Sequence, residues 1–118
     1  MTDSELEVLL LEESDTVERT VSVQKTDKFG EAICAFANDL PDHRRPGVLF
    51  VGARDDGSCA HIDITDQLLQ NLAAIRSDGN LLPQPSMTVE KRRIGGCDLA
   101  VVTVQPASLA FCTFMQQL

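Results

Sequence analysis

Residues 26–53 read TDKFGEAICAFANDLPDHRRPGVLFVGA, and two patterns inside this stretch decide the fold. Phe29, Ala32, Ile33, Phe36 and Ala37 fall at i, i+3, i+4, i+7 and i+8, the stripe that one face of an α-helix presents. Thr26 or Asp27 stands where a cap is needed, and Asn38 with Pro41 close behind ends the pattern. Gly47–Ala53 (GVLFVGA) then runs apolar without alternation and is too short for a typical helix. It reads as a strand buried on both faces. Between helix and strand, Asp39–Gly47 (DLPDHRRPG) carries two prolines, a glycine and four charged residues, so it is an exposed loop.

Working outward, residues 17–23 (VERTVSV) alternate, with Val17, Val21 and Val23 apolar, and predict a strand. Residues 4–12 (SELEVLLLE) predict a short helix with Leu6, Leu9 and Leu10 on one side. On the far side of the strand, Arg54–Ser58 (RDDGS) is a turn, with Gly57 supplying the permissive backbone. Thr65 caps a second helix whose apolar face is Leu68, Leu69, Leu72, Ala73 and Ile75. Ser77–Asn80 stops it, and Pro83 and Pro85 mark a connection. Met87–Ile94 (MTVEKRRI) and Cys97–Val104 (CDLAVVTV) then form a hairpin across Gly95–Gly96. The second arm is apolar on both sides, hence central. The order is β-α-β-(β)-α-β-β: an α/β fold, mixed α+β, with two helices packed on a mixed sheet and no internal repeat.

The length of 118 residues fits one domain, and 43% apolar residues suffice for a core. With no Trp, no Tyr and five Phe, that core is built from Val, Leu, Ile and Ala. The net charge of −8 argues at first against a polyanionic partner. Its distribution matters more than its total. Asp3, Glu5, Glu7, Glu12, Glu13, Asp15 and Glu18 are seven acids without a base, leaving eleven acids against ten bases beyond residue 18. We therefore divide the chain into an acidic arm or short helix (1–12), a nearly neutral domain (13–107) and a tail (108–118). Residues 99–118 carry no charge, but Gln105, Pro106, Ser108, Gln116 and Gln117 interrupt them, which rejects a membrane span. No basic leader precedes an apolar run at the N-terminus. Cys34, Cys59, Cys97 and Cys112 lack close pairing, and only His43 and His61 are available to join them, so a zinc site is not expected. Reduced thiols in a cytoplasm are, with Cys34 and Cys97 as small core residues.

Three segments together resemble a known family: Glu13-Ser-Asp-Thr-Val-Glu18, Ile33-Cys-Ala-Phe-Ala-Asn38 and Leu49-Phe-Val-Gly-Ala-Arg-Asp-Asp-Gly57. Their order and content are similar to the Schlafen AlbA-like domain over roughly residues 10–107. The resemblance implies a sheet-and-helix fold and a DNA-binding role, as in bacterial transcriptional-regulator-like and helicase-associated proteins. It also brings an ATP-binding label, which no P-loop in this chain supports. For eukaryotic relatives it implies a metal-dependent endoribonuclease with three carboxylates, here Glu13, Glu18 and Asp55, holding Mg²⁺ or Mn²⁺. The chain departs from the pattern in places. Arg19 and Thr20 follow the strand glutamate where an aromatic and a lysine are usual, the 39–47 loop is long, and His61 stands where a glycine is expected. After the last strand the tail SLAFCTFMQQL replaces the usual Pro-Pro and arginine-containing strand, so a truncated domain is expected.

Three readings stay open on these residues. The first is a nucleic-acid-binding module for DNA or RNA, with Arg44, Arg45, Lys91, Arg92 and Arg93 on phosphates and with the 39–47 loop and 94–97 hairpin tip flanking one groove. Scarce aromatics disfavour a base-stacking reader. The second is the metal nuclease. Glu13 and Glu18 converge only if Glu13 lies off the strand, because residues five apart on one strand face opposite ways. The plainer alternative makes Glu12, Glu13 and Asp15 solvated acids, and Asp55 and Asp56 caps of their own turn. The third reading is a protein-interaction or degenerate fragment, with the exposed sheet edge as a route to a homo-oligomer. Asn38 reads as a helix terminator and His61 as surface or packing.

Overall fold

The structure is a computed structural model, and it describes residues 1–12, 14–23, 26–38, 45–75, 81–82, 86–106 and 113–114, without the side chains of 26–28, 81–82 and 113–114. Nine elements follow in order: α1 (Asp3–Leu11), β1 (Val17–Thr20), α2 (Thr26–Asn38), β2 (Gly47–Val51), α3 (Asp66–Ile75), β3 (Leu81–Leu82), β4 (Met87–Ile94), β5 (Cys97–Val104) and β6 (Thr113–Phe114). Four strands make the main sheet in the order β1-β2-β5-β4. The β1–β2 pair is parallel, and β2–β5 and β5–β4 are antiparallel.

Why the two central strands are apolar throughout is plain from what covers them. On one face α2 and α3 bring Phe29, Ile33, Phe36, Leu68, Leu72 and Ile75 against Leu49, Val51, Ala100, Val102 and Val104. On the other, α1 brings Leu6 and Leu10 against Val48, Phe50, Leu99 and Val101. Strand β2 is therefore buried at all five positions. The N-terminal segment takes the short-helix form of the two expected for it: Leu6 and Leu10 are core residues, and the acids Glu5 and Glu7 lie on the outer side of the same helix. Thr2 caps α1, its hydroxyl accepting the Glu5 N–H at 3.2 Å.

The expected strand 17–23 ends at Thr20. The Thr20 hydroxyl accepts the Ser22 N–H at 3.0 Å, a local turn that competes with the ladder. Val21 is consequently 51% exposed instead of sharing Val17's face. The hairpin is as expected, with Ile94 opposite Cys97 and both turn glycines at positive φ (57° and 79°). In place of a short strand before α3, Ala53 and Cys59 form an isolated bridge around the 54–58 turn. Thr65 caps α3 as expected, accepting the Leu68 N–H at 3.1 Å. The Thr113–Phe114 part of the tail is a strand, paired antiparallel with Leu81–Leu82.

The expectation of reduced thiols is overturned. Cys59 and Cys97 form a disulfide, although 38 positions separate them. The turn after β2 and the first residue of β5 reach the same end of the sheet, which brings their Cα atoms to 5.7 Å. Cys34 is a free, buried thiol, and Cys112 lies outside the described residues.

Candidate functional site

In open α/β sheets ligands meet the carboxyl ends of parallel strands. At that end of β1 and β2 a cleft of about 720 Å³ is lined by Glu18, Thr20 and Val21 of the first strand and its exit, Phe29 and Ala32 of α2, and Ala53, Arg54 and Asp55 after β2. Register explains the carboxylate. Glu18 pairs with Leu49, which packs under α2, so Glu18 is on the α2 side of the sheet and exposed beside the edge. Asp55, also exposed, follows β2 by four residues and meets the same cleft.

Arg19 points the other way and ties two segments together. Its Nε donates to the Leu10 carbonyl at 2.7 Å, Nη1 to the Asp55 carbonyl at 2.8 Å, and Nη2 to the Glu12 carbonyl. One guanidinium thus joins the end of α1 to the turn that bears Asp55, satisfying carbonyls the helix leaves unpaired. Gly57 completes the contact, since a Cβ there would come within 2.9 Å of the Leu10 carbonyl oxygen.

The two neighbouring aspartates separate in role. Asp56 accepts the Ser58 hydroxyl at 2.6 Å and the Ser58 N–H at 2.9 Å, which caps the turn. Those bonds, the hydroxyl's first, hold its carboxyl below the ordinary carboxylate range. The turn-capping role expected of both acids belongs to Asp56, while Asp55 lends the turn only its backbone carbonyl. Glu13 lies outside the described residues. Ser14–Thr16 form a hydroxyl-bonded turn before β1, which begins at Val17. Among the described residues no three acids, histidines or cysteines gather as a metal site. Glu18, Asp55 and Glu31 of α2 all line the cleft, hard oxygen donors of the kind that suit Mg²⁺ or Mn²⁺ completed by water.

Among the described residues the candidate cations do not form one patch. Alternation along β4 sends Lys91 and Arg93 to the α2–α3 side and Arg92 to the α1 side. Arg92 is occupied, bonding Asp3, the Glu90 carboxylate at 3.1 Å and the Met1 carbonyl at 2.9 Å. Glu90 first and Asp3 next push its pKa up, fixing the charge further. Arg45 pairs with Glu12 at 3.5 Å, and Arg93 with Asp98 at 3.2 Å on the exposed surface. Lys91 is exposed and has no ion pair with a described residue. Arg44 lies outside the described residues.

Gly47, at the described end of the loop, and the hairpin lie at opposite ends of the sheet. Gly47 aligns with Val104 and Met87, whereas the hairpin closes at Ile94–Cys97, seven residues along β4. At about 3.3 Å per residue that is roughly 23 Å, the full length of the sheet. The hairpin instead shares its end of the sheet with the cleft. Thr20, Val51, Ala100 and Lys91 form one row across all four strands, from the cleft to the basic edge. Three strand spacings of about 4.8 Å make that row roughly 14 Å long. Sequence reading missed this row because register is a property of the assembled sheet. It also missed Arg19 as a clamp and His61 as a neighbour of Cys59. The one available signal was His61 at a glycine position, since its φ of 54° is the conformation glycine favours.

The Schlafen, AlbA_2 family model matches residues 13–114. No curated protein matches the chain. Among solved structures, the solution NMR structure of the N-terminal domain of a RecG-related protein of Nitrosomonas europaea, described as an ATP-dependent DNA helicase, superposes with a TM-score of 0.61 at 19% identity, covering 99% of this chain and 91% of that one. At that identity the likeness is one of fold. The family model takes in nearly the whole chain, from before β1 to the end of β6, and the protein therefore belongs to the Schlafen, AlbA_2 family.

Proposed function

We propose that this domain binds nucleic acid through the sugar-phosphate backbone, across the end of the molecule that Lys91 and Arg93 share with the β1–β2 cleft. The observation that carries the reading is the shared end of the sheet. Two exposed cations two residues apart on one face stand roughly 14 Å from a cleft at the carboxyl ends of parallel strands. Family membership points the same way. Phosphate contacts of this kind tolerate sequence, in keeping with a surface poor in aromatics. A regulatory role in transcription, as bacterial relatives are described, would build on that binding.

The test is fluorescence anisotropy of labelled duplex DNA, single-stranded DNA and structured RNA at several salt concentrations. Each lost phosphate contact lowers the slope of log K against log salt by about 0.9 on duplex DNA. The double variant Lys91→Ala/Arg93→Ala should therefore bind more weakly and show a slope reduced by about 2. Arg92→Ala, whose side chain is already bonded within the protein, should leave the slope unchanged. Equal slopes for wild type and the double variant would refute the reading.

A second reading is favoured by one observation, the shared cleft of Glu18 and Asp55. It is a metal-dependent ribonuclease in which these carboxylates, with Glu13, hold Mg²⁺ or Mn²⁺. The ion would supply an activated water and neutralise charge on the phosphate. RNA cut only with metal, and not by Glu18→Gln or Asp55→Asn, would establish it. Intact RNA throughout would leave binding alone.

A further inference from the structure

We propose that the Cys59–Cys97 disulfide is a reversible thiol-exchange site that latches the cleft-lining turn to the sheet, with Cys59 as the sulfur that reductants attack. Where it concerns regulation of the cleft, the proposal rests on the reading of the cleft as the functional site. The exchange itself does not.

Four observations converge on it. The bond joins the 53–59 turn, which carries Arg54 and Asp55 of the cleft, to the first residue of the central strand β5. Its two sulfurs are unequally placed: Cys97 is 6% exposed and Cys59 is partly open to solvent. Cys59 also has a local partner. Its Sγ accepts the His61 N–H at 3.4 Å and lies 3.7 Å from His61 Nδ1. Finally, His61 holds a φ of 54°, a left-handed conformation uncommon for a residue with a Cβ, and this curl of the chain accompanies both contacts. An N–H donor beside a sulfur stabilises its thiolate, so Cys59 is the reachable sulfur in the first exchange and the better-held leaving group in the second.

The chemistry balances with a dithiol reductant. One of its thiolates attacks Cys59 Sγ, the S–S bond breaks, and the electron pair leaves on Cys97 Sγ, which takes a proton from solvent. The second reductant thiolate then attacks the mixed disulfide and releases Cys59 as the thiolate beside His61. The dithiol ends as a disulfide, oxidised by two electrons, and the protein ends with two thiols. With the tether gone, the turn is held by non-covalent ties, among them the Arg54–Ser58, Gly57–Arg54 and Asp56–Ser58 bonds within it, the Ala60–Gly52 bond just past β2, and the Arg19 contact to the Asp55 carbonyl. Opening this latch changes the cleft wall at the margin of the α1-covered core, to which Cys97 belongs and against which Cys59 packs, and leaves the core under α2 and α3 untouched.

The experiment equilibrates the full chain with reduced and oxidised dithiothreitol, traps thiols with iodoacetamide, maps them by peptide mass, and follows amide exchange in both states. The expected result is a reversible two-electron step. Alkylation should be at least tenfold faster at Cys59 than at Cys97. Exchange at the Arg54, Gly57 and Ala60 amides should rise tenfold or more on reduction while Leu49–Val51 and Leu99–Val102 stay protected. In Cys97→Ser, His61→Ala should slow Cys59 alkylation several-fold. If Cys97→Ser does not fold, the wild-type exchange data decide alone. Loss of protection throughout the sheet on reduction would make the bond a structural staple and overturn the proposal. So would equal labelling of the two sulfurs, or a turn whose exchange does not change. None of these readouts involves nucleic acid, so they succeed or fail independently of the binding assay.

Discussion

Arg19 concentrates three hydrogen bonds from one guanidinium onto carbonyls of α1 and of the Asp55 turn. Removing it leaves part-buried carbonyls unpaired, at about 1–3 kcal/mol for each such group. We expect Arg19→Met to lower the unfolding free energy by roughly 2–4 kcal/mol in urea titrations. Arg19→Lys should recover little, because a point charge on a flexible stem cannot serve three acceptors at fixed angles. Asp56 makes a pH-dependent case. Its carboxyl is held below the ordinary range by Ser58, so the stabilisation is present above the unfolded-state pKa and is lost as pH falls through the folded one. The stability advantage of wild type over Asp56→Ala should be level at neutral pH and shrink below about pH 4, measured by thermal unfolding across pH. Residues of this kind were half legible. The turn chemistry of Asp-Asp-Gly-Ser was visible in its letters, while the division of labour between Asp55 and Asp56 depends on which side chain Ser58 meets.

At the scale of elements, Gly47 leaves no room for a side chain between β2 and α2. A Cβ there would fall 2.1 Å from Cγ of Phe36, inside the ring's own space. Gly47→Ala should therefore cost about 3 kcal/mol or more, the upper part of the overpacking range, with a cooperative transition at lower denaturant as the readout. Gly95, with nothing near its Cβ direction, contrasts with it: its positive φ serves the turn alone. Elements with a strong periodic signal were readable, the hairpin arms to the residue and α2 to its last residue, although Thr26 and Asp27, expected to cap α2, lie within it. The β4–β5 hairpin follows from alternation and its two glycines, and α2 from its stripe. Strand β1 was readable only at its start, because its end is set by the Thr20 hydroxyl rather than by the apolarity of Val21 and Val23. The basic run at 91–93 looked like one cluster in the sequence. A pleated strand divides it, and the acids that occupy Arg92 come from α1 and from its own strand.

For the whole molecule, the consequential arrangement is that α1 alone covers the second face of the sheet among the described residues. Leu6, 1% exposed, anchors it. Leu6→Ala should cost roughly 2–5 kcal/mol and, by uncovering Val48, Phe50 and Val101, should raise binding of a hydrophobic dye before global unfolding is complete. The candidate site follows the same logic of assembly: its cleft and its cations belong to opposite edges of the sheet, and only the strand order β1-β2-β5-β4 aligns them. That order was invisible in the sequence beyond the inference that β5 is central. It also sets a timetable for the chain as it is made. Asp3 must wait for Arg92, 89 positions downstream, and the leucines of α1 must wait for Leu99 and Val101. At about 5–20 residues per second the delay is roughly 4–18 s. During that interval the leading helix emerges with nothing to rest on, and the nascent protein depends on its acidic outer face, or on a chaperone, to keep those leucines from finding another chain.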